Sequence, residues 1–275
     1  MTVSSSAGNT IVQSERPDRK LLFRSGDASF MTSLARGLEV IRGFSGAAQG
    51  VRMADLSRTT GLSRAVVRRC LHTLRTMGYV RADRDLYFLE PLILSLGHSY
   101  FSSSSLPGTA QPFLERVSHE TQESCSLAVL DGVNVVYVAR SATRRIMSVS
   151  LNLGSRLPAF YTSLGRVLLA QLRPAERASL LGRVRLEPFT PHTLATREEL
   201  DEAIAVAARQ GFAVVNEELE IGLRSIAVPV LSAHRGAVAA MNVGVQATRM
   251  SEKELRTRVL PALQRAAKEL GAQLT

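Results

Sequence analysis

The sequence predicts an α+β protein in two parts: a small N-terminal winged helix-turn-helix and a larger C-terminal domain of mixed strands and helices. Three observations predict it. Two helical runs flank a tight turn at Gly61, and a short β-like pair follows them. Further on, Ser124 to Leu130 and Val133 to Ala139 are β-rich runs separated by Asp131-Gly132, a strong hairpin signal. Finally, positive charge is concentrated around the first feature, while residues 91–105 carry no charge at all.

The elements follow in order. Residues 1–28 are rich in Ser, Asp, Arg and Gly without a sustained period, which predicts a flexible tail. From Ser33, the residues Leu34, Leu38, Ile41 and Phe44 recur at helical spacing. A short helix is expected from Met53 to Thr60. Ser63 is an N-cap candidate for a third helix running to about Met77, with Gly78 as its stop. Tyr79 to Arg81 and Leu86 to Phe88 form a small hairpin around Ala82 to Asp85. Leu92 to Tyr100 reads as an apolar linker helix, and Ser102 to Ser105 with Pro107-Gly108 as a break.

The second domain opens with a helix from Pro112 to Thr121, then the hairpin. Ile146 to Leu151 reads as a strand, Ser163 to Leu172 as a helix, and Pro174 starts another. Thr196 and Glu199 form a capping box for a helix ending at Gln210, with Gly211 as its stop. Phe212 to Asn216, Ile226 to Leu231 and Ala237 to Val245 read as strands, and Ser251 with Glu254 caps a last helix. The resulting boundaries are a tail over 1–28, a winged helix-turn-helix over 29–90, a linker helix over 91–105 and a larger domain over 106–275.

Composition narrows the function classes. The chain has 275 residues, 34 basic and 24 acidic side chains, and a net charge of +10. No apolar run reaches the ~18 residues of a membrane helix, and the polar start lacks a signal-peptide pattern. Two distant cysteines, Cys70 and Cys125, suit a reducing cytoplasm and provide no disulfide framework. No Cys/His cluster suggests a metal, and no cofactor motif is visible. Eight arginines fall between Arg52 and Arg84, the electrostatic footprint of a polyanion.

The helix after Gly61 is the informative one. At 100° per residue from Arg64, the residues Val66, Val67, Cys70, Leu71, Leu74 and Met77 fall between about 200° and 340°. Arg64, Ala65, Arg68, Arg69, His72, Arg75 and Thr76 fall between about 0° and 140°. A cationic face on the second helix of a helix-turn-helix is built to enter a DNA major groove. Arg64, Arg68 and Arg69 are the candidates for groove contacts, flanked by Ser63, Ala65 and His72. Arg52, Arg58, Arg81 and Arg84 are candidates for phosphate contacts, which position the protein without specifying sequence.

The stretch Leu56-Ser57-Arg58-Thr59-Thr60-Gly61-Leu62-Ser63-Arg64-Ala65-Val66-Val67-Arg68-Arg69-Cys70-Leu71-His72-Thr73-Leu74, with Gly78-Tyr79-Val80, resembles the DNA-binding domain of IclR-type transcription factors. So do Gly154 to Pro158, Thr162 to Ala170, and Glu217-Glu218 followed by Gly222 to Pro229. The opening Phe30 to Ile41 resembles the subgroup controlling aromatic-acid catabolism through the β-ketoadipate pathway. Two departures are visible. The wing tip is Asp83-Arg84-Asp85 where many members have a glycine, and Val66-Val67 replaces the usual Thr-Val.

The resemblance implies a GAF/PAS-like C-terminal domain that binds a small aromatic or dicarboxylic acid. Its pocket residues fall on Ile146, Val149, Leu157, Ser163, Leu164, Gly165, Val215 or Asn216, Ser225, Asn242 and Gly244. The amides of Leu164, Gly165 and Arg166 would face the anion, and Gly165 would permit its close approach. Protocatechuate, 4-hydroxybenzoate, muconate and β-ketoadipate all suit such a pocket. Ser225 and Asn242 are expected on adjacent strands, where they converge. Phe160 and Tyr161 are expected in the core, and Arg224 is expected to pair with Glu217, Glu218 or Glu220.

The implied partners are a palindromic operator in double-stranded DNA and a second copy of the chain, with dimers pairing into tetramers. Leu92 to Ser105 and the helix from Ser33 are the expected dimer contacts. Other readings are a regulator of another carboxylic-acid pathway such as glyoxylate metabolism, a GAF-fold enzyme, or an architectural DNA-coating protein. The enzyme reading lacks a nucleophile placed beside a base, since Cys125 and His119 have no geometry that joins them.

Overall fold

The computed structural model describes residues 29–46, 49–143 and 151–274. The tail over 1–28 and the expected strand from Ile146, apart from Leu151 itself, lie outside them. The described residues divide into two compact units, one ending at Ser104 and the other beginning at Ser105. No described helix is long and apolar enough to cross a membrane.

The first unit runs α1 (Thr32–Arg42), β1 (Val51–Arg52), α2 (Met53–Thr60), α3 (Arg64–Thr76), β2 (Val80–Asp83), β3 (Leu86–Leu89), a 3-10 turn (Pro91–Ile93) and α4 (Leu94–Ser103). Gly61 caps α2 in the left-handed region at φ 59°, a conformation glycine adopts without a Cβ clash. Ser63 then caps α3, accepting the Val66 amide at 3.4 Å. The strands form an antiparallel sheet of order β1-β3-β2.

Val40, Phe44, Leu56, Val67, Leu71, Leu74 and Val80 form this unit's core. The apolar face expected on α3 supplies three of them, with Cys70 partly buried beside them. Met77, placed by angle with that face, is 56% exposed because the helix ends at Thr76. Leu34 and Leu38, which share the helical spacing of Phe44 on α1, are also exposed. Val40 and Phe44 take the inward positions instead.

The second unit runs α5 (Leu106–Thr121), β4 (Ser124–Asp131), β5 (Asn134–Ser141), β6 (Arg156–Pro158), a 3-10 turn (Ala159–Tyr161), α6 (Ser163–Leu169), α7 (Pro174–Leu181), α8 (Arg197–Gln210), β7 (Ala213–Asn216), β8 (Leu223–Ser232), β9 (Gly236–Gln246), α9 (Glu252–Glu254), a π-helical turn (Leu255–Val259) and α10 (Leu260–Gln273). Helix α5 starts six residues before Pro112, which is interior to it and not its first residue. The β4–β5 turn is Gly132-Val133, one residue later than expected, with Gly132 at φ 60°. The capping boxes at Thr196 and Ser251 both form.

Six antiparallel strands lie in the order β6-β5-β4-β9-β8-β7. One sheet face carries Cys125, Leu127, Ile226, Val228, Met241 and Val243 and packs in a core with α5 and α10. The opposite face carries Ala128, Tyr137, Ala213, Ala227 and Ala240 and packs under Phe160, Tyr161, α6 and α8. Phe160 and Tyr161 are core residues, as expected. The sheet is thus covered on both sides, and anything it binds must replace part of one cover.

Candidate functional site

On α3 the sequence separates faces as the angular reading predicts. Arg64, Ala65, Arg68, Arg69 and His72 are exposed, while Val67, Leu71 and Leu74 are buried. Arg64, Arg68, Arg69 and Arg84 have no acidic partner among the described residues. The arginines expected to hold phosphates behave differently from one another. Arg52 pairs with Asp85 at 2.8 Å, and Arg58 with Asp55 at 2.7 Å. Arg81 pairs with Glu90 at 3.0 Å and lies over the Phe88 ring at 3.9 Å. Within the wing, only Arg84 presents a guanidinium unpaired among the described residues, and it stands at the tip of the β2–β3 turn with φ 54°.

That φ is the left-handed region, strained for any side chain with a Cβ. The wing tip therefore keeps an arginine at a glycine-favouring position. The Ser63 hydroxyl is engaged in the α3 cap, where it fixes the start of the helix.

The second candidate site lies on the sheet face beneath α6. Register places Ser126 opposite Asn242, and Asn242 opposite Ala227. One step along, Ser124 faces Gly244, which faces Ser225, which faces Val215. Side chains two residues apart share a face, so Ser124, Ser126, Asn242, Gly244 and Ser225 form one small-residue polar patch. Ser163 completes it from α6, with its hydroxyl 2.8 Å from that of Ser225. Ser124, Ser126, Ser163 and Asn242 are all buried. The expected convergence of Ser225 and Asn242 is met through this shared face.

Other expected pocket residues are placed elsewhere. Asn216 pairs across the ladder with Arg224, on the opposite face from Ser225, and its carbonyl oxygen accepts the Arg224 Nε at 2.7 Å. Alternation decides between the two options, and Val215 is the one on the patch side. Arg224 also donates to the Met250 carbonyl at 2.6 Å, and not to a glutamate. Glu218 instead takes a buried two-pronged bond from Arg166, at 2.7 and 2.5 Å.

Gly165 serves packing and not ligand approach: a Cβ there would stand 2.0 Å from the Ala159 carbonyl oxygen. Its amide donates to the Thr162 hydroxyl at 2.9 Å, and the Arg166 amide to the Thr162 carbonyl at 3.0 Å. Thr162 is the N-cap, and its hydroxyl and carbonyl take two of the amides expected to face an anion. Leu164 is fully buried in the core, and Leu157 packs at its edge. Ile146 and Val149 lie outside the described residues.

Ser124, Ser126 and Arg140 also lie on this face, beyond the residues expected from the sequence. The alternation of Ser124-Cys125-Ser126 is a visible signal for the first two. Arg140 has none, because a β-bulge sets its direction. Leu127 pairs with Ala139 and Ala128 with Tyr137, leaving Val138 as the extra residue. Val138 and Ala139 both enter the α5/α10 core, and Arg140 then emerges opposite Ser126 on the patch face. Its Nη1 donates to the Leu151 carbonyl at 3.0 Å. Burial pulls its pKa below the usual arginine value, with only the Tyr137 phenol opposing that shift.

The enzyme reading finds no support in geometry. Cys125 faces the α5/α10 core, where burial pushes its thiol pKa up and keeps it protonated. No group of metal-ligating side chains occurs among the described residues.

Comparison with known proteins agrees with both halves. Residues 33–84 match the IclR helix-turn-helix domain, and residues 98–272 match the bacterial transcriptional regulator IclR C-terminal domain. The chain is 44% identical over 259 residues to the Pca regulon regulatory protein of Pseudomonas putida, covering 94% of this chain and 89% of that one. It is also 44% identical to the crystal structure of a transcriptional regulator from Rhodococcus sp. RHA1, with TM-score 0.79 over 89% of this chain and 98% of the other. The inducer-binding domain of Acinetobacter PobR, solved as a double mutant with 3-hydroxybenzoic acid, is 34% identical. It matches with TM-score 0.59 over 62% of this chain and 100% of its own. With the cationic recognition helix in the first unit and the covered sheet in the second, this chain belongs to the IclR family of bacterial transcriptional regulators, and is not an enzyme.

Proposed function

We propose that this protein is an acid-responsive regulator of aromatic-acid catabolism. It reads a palindromic operator through α3 and the wing, and it senses a small aromatic acid on the patch beneath α6. The carrying observation is the contrast between two surfaces. Helix α3 exposes arginines with no acidic partner among the described residues, while a mostly apolar sheet face carries Ser124, Ser126, Ser225 and Asn242 beneath Ser163 of α6. A buried polar patch is retained where something hydrogen-bonds to it. The Pca-regulon relative and the hydroxybenzoate-bound PobR domain support an aromatic acid as the class.

On this reading, residues 29–90 are the DNA-binding domain, 91–105 the linker and 106–275 the effector domain, and the protein acts in the cytoplasm where its operator is. It works as a homodimer, and dimers pair into tetramers. Leu34 and Leu38 on α1, with Leu94, Leu96, Tyr100 and Phe101 on α4, are exposed apolar residues suited to self-association.

Footprinting of the full chain on the DNA flanking its own gene tests the proposal. The expected result is a discrete symmetric footprint with half-sites about one helical turn apart, altered by 4-hydroxybenzoate. Uniform protection of unrelated DNA would contradict it.

A further inference from the structure

We propose that Arg140 is the carboxylate anchor of the effector site: its guanidinium holds the acid group of an aromatic acid whose ring lies over Ser126, Asn242 and Gly244, and whose far polar group meets the Ser163–Ser225 pair. The inference rests on the reading of the patch as an effector site and adds the group that selects for acids.

The bulge carries Arg140 onto the patch face, in the same cross-strand row as Ser126 and Asn242. Its Nε is buried and has no hydrogen-bond partner among the described residues. A buried guanidinium donor left unpaired is costly, and a carboxylate is the acceptor whose two oxygens match its fork. Ser126 and Asn242 are buried, and neither side chain bonds to a described residue. The row therefore holds three polar side chains with unused capacity, aligned across three strands.

The floor beside the row is open. A Cβ on Gly244 would meet nothing nearer than the Leu223 side chain, at 4.0 Å. Strands are spaced about 4.8 Å apart, so β5 and β8 lie about 14 Å apart across β4 and β9, which spans an arginine side chain followed by one aromatic ring. At the far end, one hydroxyl of the Ser163–Ser225 pair donates to the other, so the accepting serine keeps its own proton for a ligand oxygen. The site thus takes a flat monocarboxylic acid with a hydrogen-bonding group at the opposite end.

Calorimetry on the full chain tests this with two probes, 4-hydroxybenzoate and its methyl ester, which keeps the ring and phenol but lacks the charge. The wild type is expected to bind the acid well and the ester weakly. Arg140→Met is expected to lose acid affinity by about 30-fold or more, leave ester affinity within about twofold, and so lose the discrimination. Arg140→Lys, which keeps a cation but not the fork, falls between them and serves if the methionine variant does not fold. Retention of the acid-over-ester preference in the variants would overturn the role of Arg140 while leaving the effector site intact. A wild type that binds neither probe would overturn the effector reading itself, and this proposal with it.

Discussion

Arg84 combines a strained backbone with a charge left unpaired among the described residues. Its left-handed φ of 54° carries a steric cost for an arginine, of about 1 kcal/mol in typical cases. It is also the wing cation that spends nothing on an acid among the described residues, while Arg81 is bound to Glu90 and stacked on Phe88. Arg84→Gly is therefore expected to leave stability unchanged or raise it by up to about 1 kcal/mol in urea titrations. The same change is expected to weaken DNA binding equally for all sequences and lower the salt slope by about one unit. Arg81→Ala is expected to move the slope less, because that charge is already partly neutralised. Equal slopes for Arg84→Gly and wild type would remove Arg84 from the interface.

At the scale of elements, what the sequence revealed was what local chemistry decides. The Thr196 and Ser251 capping boxes, Gly211 and the amphipathic α3 depend on residues within a few positions of each other, and they appear where expected. What stayed hidden depends on pairing between distant segments. The bulge at Val138 turns Arg140 to the patch face, and no period within β5 announces it. Strand parity, known only from the β7–β8 register, puts Asn216 on the face away from the patch and Val215 on the patch side. Leu34 and Leu38 share the helical spacing of Phe44, yet this unit's core is completed without them. Gly165 is the clearest reassignment, since its missing Cβ lets α6 sit on the Ala159 backbone. Gly165→Ala must displace α6 from that turn and is expected to cost about 1–3 kcal/mol in thermal or urea unfolding of the full chain. A neutral effect would show that α6 is not seated against the turn.

Across the whole molecule, charge and polarity are distributed by task. Residues 29–90 hold 10 basic and 5 acidic groups, half of the net +10, and the cations left unpaired there cluster on α3 and the wing tip. The larger unit instead carries a small set of buried polar groups on a sheet covered on both faces. The proposed regulation requires that the two units be coupled, so that acid on the patch changes operator affinity. Coupling of this kind is reciprocal, because DNA must change the affinity for acid by the same factor. Typical coupling of 1–3 kcal/mol corresponds to about 5- to 150-fold. The direct measurement is acid affinity by calorimetry for the full chain, with and without saturating operator DNA. A shift of about fivefold or more, matched by an equal shift in operator affinity when acid is added, is the predicted result. Identical acid affinities in the two states would contradict the account.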